Sequence, residues 1–152
     1  MKRTIAIALT AVIATAGIAA CVAGCAKKSA PVRQTATAYL HEGENTIIAK
    51  VDLTDGYSCE FASGAVYLYD SSDSDVAIGI TLGQDVYEDY AAEAQEAADH
   101  KDIKDGVVYS VDDRQVYICK VGDNGYFGIF TENNDPALME DVIDRIDVAP
   151  EF

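Results

Sequence analysis

The sequence predicts an α+β domain, one antiparallel sheet of about six strands with two helices packed on it. Three observations carry this. Short stretches with a two-residue apolar period recur between turn signals. Two stretches, near 86–99 and from Pro136 onward, switch to a helical period. The links between strands are short and rich in Gly, Asp and Asn, as hairpins require, which implies antiparallel pairing.

In order, residues 46–53 alternate, with Ile47, Ala49, Val51 and Leu53 on one face, and close in the turn Thr54-Asp55-Gly56. Residues 57–61 alternate again and set Tyr57, Cys59 and Phe61 on one side. Residues 66–69 follow a turn; Val66 and Leu68 share one face, Tyr67 and Tyr69 the other. The strand at 76–82 is expected to point Val76, Ile78, Ile80 and Leu82 inward and Ala77, Gly79 and Thr81 outward. A helix then runs from Val86 to about Asp99, with Asp85 as N-cap, Glu88 at capping-box spacing, and Val86, Tyr90, Ala94, Ala97 and Ala98 as the buried stripe. Strands resume at 107–111, 115–121 and 126–131, the last two joined by Gly122-Asp123-Asn124-Gly125. Asp135-Pro136 opens the second helix, which buries Leu138, Met139, Val142, Ile143 and Ile146 and stops at Pro150.

The amino-terminal segment is of another kind. Lys2 and Arg3 precede an uncharged run rich in Ala, Ile, Val and Thr, the order of a secretory signal. Val22-Ala23-Gly24-Cys25 then resembles a bacterial lipobox, an aliphatic residue and two small residues before an obligatory cysteine. Ile18-Ala19-Ala20-Cys21 has the same form, but Cys25 is preferred because Ala26-Lys27-Lys28 starts a polar stretch directly after it. An uncleaved span is the bland reading, since residues 4–26 are long enough for ~30 Å of hydrocarbon. The expected organisation is a signal peptide over 1–24, a lipidated tether over 25–38 and a single α+β domain over 39–152. Acyl chains of the palmitate type on Cys25 would hold it to the cell membrane, facing outside the cytoplasm.

Charge divides the chain. All 26 acidic residues lie after residue 41, and beyond Thr37 only six residues are basic, so the domain carries −20. Such a surface repels nucleic acid and anionic head groups and attracts cationic partners. The tether is basic, through Lys27, Lys28 and Arg33, and suits an anionic lipid surface. Cys59 and Cys119 remain once Cys21 and Cys25 are set aside; an even pair in an exported chain is a candidate disulfide, and two buried thiols are the alternative.

The order of elements resembles the PsbP/Mog1-like group of small domains. The resemblance rests on the opening V-x-L-x-D-G-Y-S (Val51 to Ser58), the alternating strand 76–82 before an Ala-rich helix, and the final amphipathic helix 138–146. That group usually shows a proline after the opening strand, where this chain has Thr54-Asp55. The resemblance implies a binding or assembly accessory, not a catalyst.

Residue chemistry points the same way. G-x-S-x-G, H-E-x-x-H and C-x-x-C patterns are absent. His41 and His100 read as loop residues, and a Cys-His-Asp set from Cys59 or Cys119 with His100 is the remaining catalytic constellation. Asp70, Asp73 and Asp75 share a short serine-rich loop and are candidate ligands for a hard cation such as Ca²⁺, though the EF-hand spacing fails. Tyr67 and Tyr69 are candidate anchors for a partner on the sheet face, the preferred alternative being that they cover the sheet beneath a helix. The expectation is a membrane-anchored extracytoplasmic binding or assembly module with an unknown protein partner. The alternative is an acidic divalent-cation-binding lipoprotein, and the remote alternative a hydrolase.

Overall fold

The structure, a computed structural model, describes residues 34–43 and 45–151. It is an α+β fold with ten strands in two sheets and two α-helices. The larger sheet is antiparallel throughout, in the order β3 (Ser58–Ala62), β4 (Ala65–Tyr69), β5 (Asp75–Thr81), β9 (Gly125–Thr131), β8 (Arg114–Val121), β7 (Gly106–Val111) and β6 (Lys101–Ile103). A second sheet sets β2 (Asn45–Asp52) between β1 (Thr35–Glu42) and β10 (Ile146–Pro150). α1 (Gln84–Glu96) follows β5, and α2 (Pro136–Arg145) follows β9.

Two apolar layers result. The small sheet and α2 cover one face of the large sheet, burying Leu40, Ile47, Val51, Met139 and Val142 against Val66, Leu68, Phe127 and Ile129. α1 covers the other face, through Ala94 against Tyr109, Val116, Ile118 and Tyr126.

Several elements differ from expectation. The first strand takes in residues 35–38, assigned above to the tether. Its period-2 alternation of Ala36, Ala38 and Leu40 is weak because the first two side chains are small. β10 replaces the last turn of the expected helix. Ile146 and Val148 alternate with Asp147 and Ala149, and the segment pairs with β2 in register Val148↔Ala49, a non-local gain the helical pattern could not show. Helix α2 itself starts as read, the Asp135 carboxylate accepting from the Ala137 and Leu138 amides with Pro136 in the first turn. α1 does not: Gly83 is its N-cap, with no side-chain cap, and Asp85 lies inside the first turn, where the dipole still favours it. The stripe is also rotated. Val86 is 47% exposed, and Tyr87, Tyr90, Ala91 and Ala94 face the sheet.

The β5 register carries the most instructive difference. Leu68 pairs with Ala77 but Tyr69 with Asp75, so Val76 sits at a bulge. Beyond it Ala77, Gly79 and Thr81 are buried against the larger core, and Ile78 and Ile80 are only partly buried. The face read as outward is the more tightly packed one.

Candidate functional site

Paired residues define a row across the large sheet on its α1 side: Glu60↔Tyr67, Tyr67↔Ile78, Ile78↔Phe130, Phe130↔Val116 and Val116↔Tyr109. α1 lies over the Tyr109 end. The Tyr109 hydroxyl donates toward the Tyr90 carbonyl at 3.2 Å and the Glu93 carboxylate at 3.2 Å, and the Tyr90 ring meets Phe130 at 5.4 Å. The helix packs on β7, β8 and β9. Over β4 and β5 the row is less covered, so Tyr67, Ile78 and Phe130 are half-buried and Tyr69 beside them likewise.

The strip ends in a cleft of about 300 Å³ between α1 and the β7–β8 hairpin, lined by Tyr90, Val111, Asp112, Arg114, Val116 and Phe130. Its other end is acidic. The Tyr69 hydroxyl donates to Glu60 Oε2 at 3.3 Å; desolvation, then the charges of Glu60 and Asp75, hold its phenol above the usual range. Strip and cleft share Phe130, so they form one surface. The sequence showed Tyr67 and Tyr69 as its members. Phe130, Tyr90 and the cleft were not legible, because they depend on where a helix stops covering a sheet.

The other sequence-derived candidates fall elsewhere. Cys25 and the lipobox-like motif over 22–25 lie outside the described residues. Cys59 on β3 and Cys119 on β8 are both free thiols. They stand four strand positions apart in one sheet, roughly 19 Å at the usual interstrand spacing, where a bridge needs Cα atoms within about 7 Å. Cys119 is buried and Cys59 half-buried, and burial pushes each thiol up to about 11. Alkylation of the native protein near pH 8 is therefore expected to leave Cys119 intact and modify Cys59 slowly. Both rates should rise as the pH approaches the thiol values, since only the thiolate reacts. A peptide map containing a 59–119 bridge would contradict the strand order.

Asp70, Asp73 and Asp75 share the β4–β5 connection. Asp70 Oδ1 accepts from Ser72 N at 2.8 Å, Ser72 Oγ at 2.6 Å and Ser74 N at 3.2 Å, bonds that hold its carboxyl below the usual range and shape the turn. Among the described residues no three His, Cys, Asp or Glu side chains converge closely enough to hold a metal ion. His41 lies on β1 and meets Thr46 Oγ1 at 3.0 Å; His100 Nδ1 meets the Ala97 carbonyl at 2.7 Å.

Two polar clusters were not foreseen. Arg145 packs over the Tyr57 ring at 3.9 Å, donates from Nε to Asp141 at 2.8 Å and from Nη1 to the Thr54 carbonyl at 2.8 Å, and reaches Asp55 from Nη2 at 3.3 Å. Tyr57 donates to the same Asp141 carboxylate at 2.9 Å. The D-G-Y signature is thus a structural latch: Asp55 and Gly56 take positive φ so that the chain turns onto α2. In the second cluster, buried Gln115 donates to Ser110 Oγ at 2.6 Å and to Asn134, and Ser110 donates to Asp99. This network ties the α1–β6 and β9–α2 connections to the sheet end near the cleft.

No protein-family model matches the chain, and neither a curated protein nor a solved structure gives a significant match. Among the described residues no helix is long and apolar enough to cross a membrane.

Proposed function

We propose that the chain is a lipid-anchored, extracytoplasmic binding or assembly-accessory module that docks a partner on the sheet strip at Tyr67 and Tyr69. The observation that carries the docking part is the row Tyr67–Ile78–Phe130, only partly buried, which ends in the cleft beside Tyr90. Aromatic side chains partly exposed on a rigid sheet offer contact area at little ordering cost. The anchoring part is supported by the order basic start, apolar run, Val22-Ala23-Gly24-Cys25 and basic tether. The cation-binding reading of Asp70, Asp73 and Asp75 has less support, because Asp70 already spends one carboxylate oxygen on its own loop.

Metabolic labelling with a palmitate analogue tests the anchor. The wild type is expected to carry label in the membrane fraction, and Cys25→Ser to lose it and be released or left unprocessed. Label that survives Cys25→Ser but not Cys21→Ser would move the anchor to Cys21; no label in either background would remove it. For the docking strip, a photo-crosslinker at position 67 in intact membranes should yield a discrete adduct that one at exposed Ala92 on α1 does not.

A further inference from the structure

The partner's chemistry can be narrowed from the same strip, and the inference rests on the docking reading above. The strip is apolar along its floor and carries carboxylates at its two ends. Tyr67, Ile78 and Phe130 form the floor across β4, β5 and β9. Glu60 and Asp75 stand at the Tyr69 end, both exposed, and Asp112 lines the cleft. Arg114 is the basic side chain of the cleft wall, outnumbered by these three carboxylates.

Charge decides among occupants. A second copy of a domain carrying −20 would bring like charge against like, and the same holds for nucleic acid and for anionic lipid. A cationic segment gains at the Glu60 and Asp75 end, while in the cleft Arg114 offsets part of what Asp112 offers and an apolar side chain suits better. Its lysines or arginines can pair with Glu60, Asp75 and Asp112 and lie over the tyrosine rings, and one aliphatic or aromatic side chain can fill the cleft. From β4 to β8 is three interstrand steps, about 14 Å, the reach of roughly four or five extended residues. We infer that the strip from Tyr69 to the Tyr90–Phe130 cleft binds an extended, cationic peptide segment of another protein, anchored by one apolar side chain in the cleft.

Fluorescence anisotropy of the full-length protein in nonionic detergent tests this, using a labelled peptide that alternates lysine with leucine and phenylalanine. Its counterpart with glutamate for each lysine is the control. Saturable binding is expected for the lysine peptide alone, weakening as salt screens the rim charges. Tyr67→Ala with Tyr69→Ala should weaken it about tenfold or more. Glu60→Gln with Asp75→Asn removes only exposed charge, so the fold is kept, and should weaken it about fivefold at low salt. Absence of saturable binding, equal binding of the glutamate peptide, or lysine-peptide binding indifferent to every substitution would each overturn the inference, the last by revealing diffuse attraction to an acidic surface. If the lysine peptide fails while the position-67 crosslinker still yields its adduct, the cationic chemistry is wrong and the docking strip stands.

Discussion

Arg145→Ala is expected to lower the unfolding free energy by about 3 kcal/mol, read as a shift in urea midpoint at unchanged slope. The guanidinium side chain is only 12% exposed and makes two ion pairs, a bond to the Thr54 carbonyl and a stack on Tyr57. Removing it strips the Asp141 carboxylate of its cation and leaves Tyr57 without its ring contact. Losses of about 1.5–3 kcal/mol per charged hydrogen-bonding partner are usual when one member goes. The partners' exposure, 42% for Asp141 and 74% for Asp55, keeps the sum well short of additive. Arg145→Lys should recover only a minor part, since an ammonium neither stacks flat on Tyr57 nor reaches three acceptors in a plane. Most of the loss should persist in molar salt because the guanidinium is shielded from solvent. A loss below about 0.5 kcal/mol would show that the latch is not a stability element. The pH dependence has a definite sign. Burial, then Asp141, raises the Tyr57 phenol above its ordinary value near 10. Its contribution is present below that value and is lost as pH rises through the higher, folded one.

Gly79→Val should cost about 2–3 kcal/mol although valine suits strands better than glycine. A Cβ at Gly79 would meet Phe127 Cζ at 2.5 Å and Val66 Cγ1 at 2.9 Å, both within the packed layer between the sheets. The double variant with Phe127→Leu should recover part of this, giving a coupling of about 1 kcal/mol in a double-mutant cycle. Strict additivity, or a neutral Gly79→Val, would mean that this face of β5 is not the packed one. Ile78 on the neighbouring, α1-side face is part of the proposed docking strip, so the single variant should also weaken peptide binding where Phe127→Leu alone does not.

Much of the architecture was readable because it is local. Turn residues placed the hairpins: Gly122 takes positive φ, and Asp112 does so in the β7–β8 turn. Asp135-Pro136 placed α2, and the alternation of Tyr117, Cys119 and Val121 placed the face of β8 that joins the larger core. The misreadings share a cause. Val76 at a bulge reversed the apparent sense of β5, because one unpaired residue moves every later side chain to the other face. Val86 passed for a core residue because helical period gives a stripe but not its rotation against a sheet. Cys59 and Cys119 looked fit to bond because each faces the core, yet the order β3-β4-β5-β9-β8 separates them.

By itself the sequence determined the α+β class, the inward register of β4 and β8, and the start of α2, each written in residues within a few positions of one another. It also carries the acidity of the domain and the basic amino-terminal segment, with its lipobox-like Val22-Ala23-Gly24-Cys25, from which an anchored location is proposed. Tertiary structure decided the rest: that 35–42 and 146–150 join residues 45–52 in a second sheet, that Arg145 locks the D-G-Y turn, and that α1 stops short of Tyr67 and Ile78. Those outcomes depend on contacts between segments far apart in the chain, where burial and pairing outweigh local preference and no nearby residue records the result.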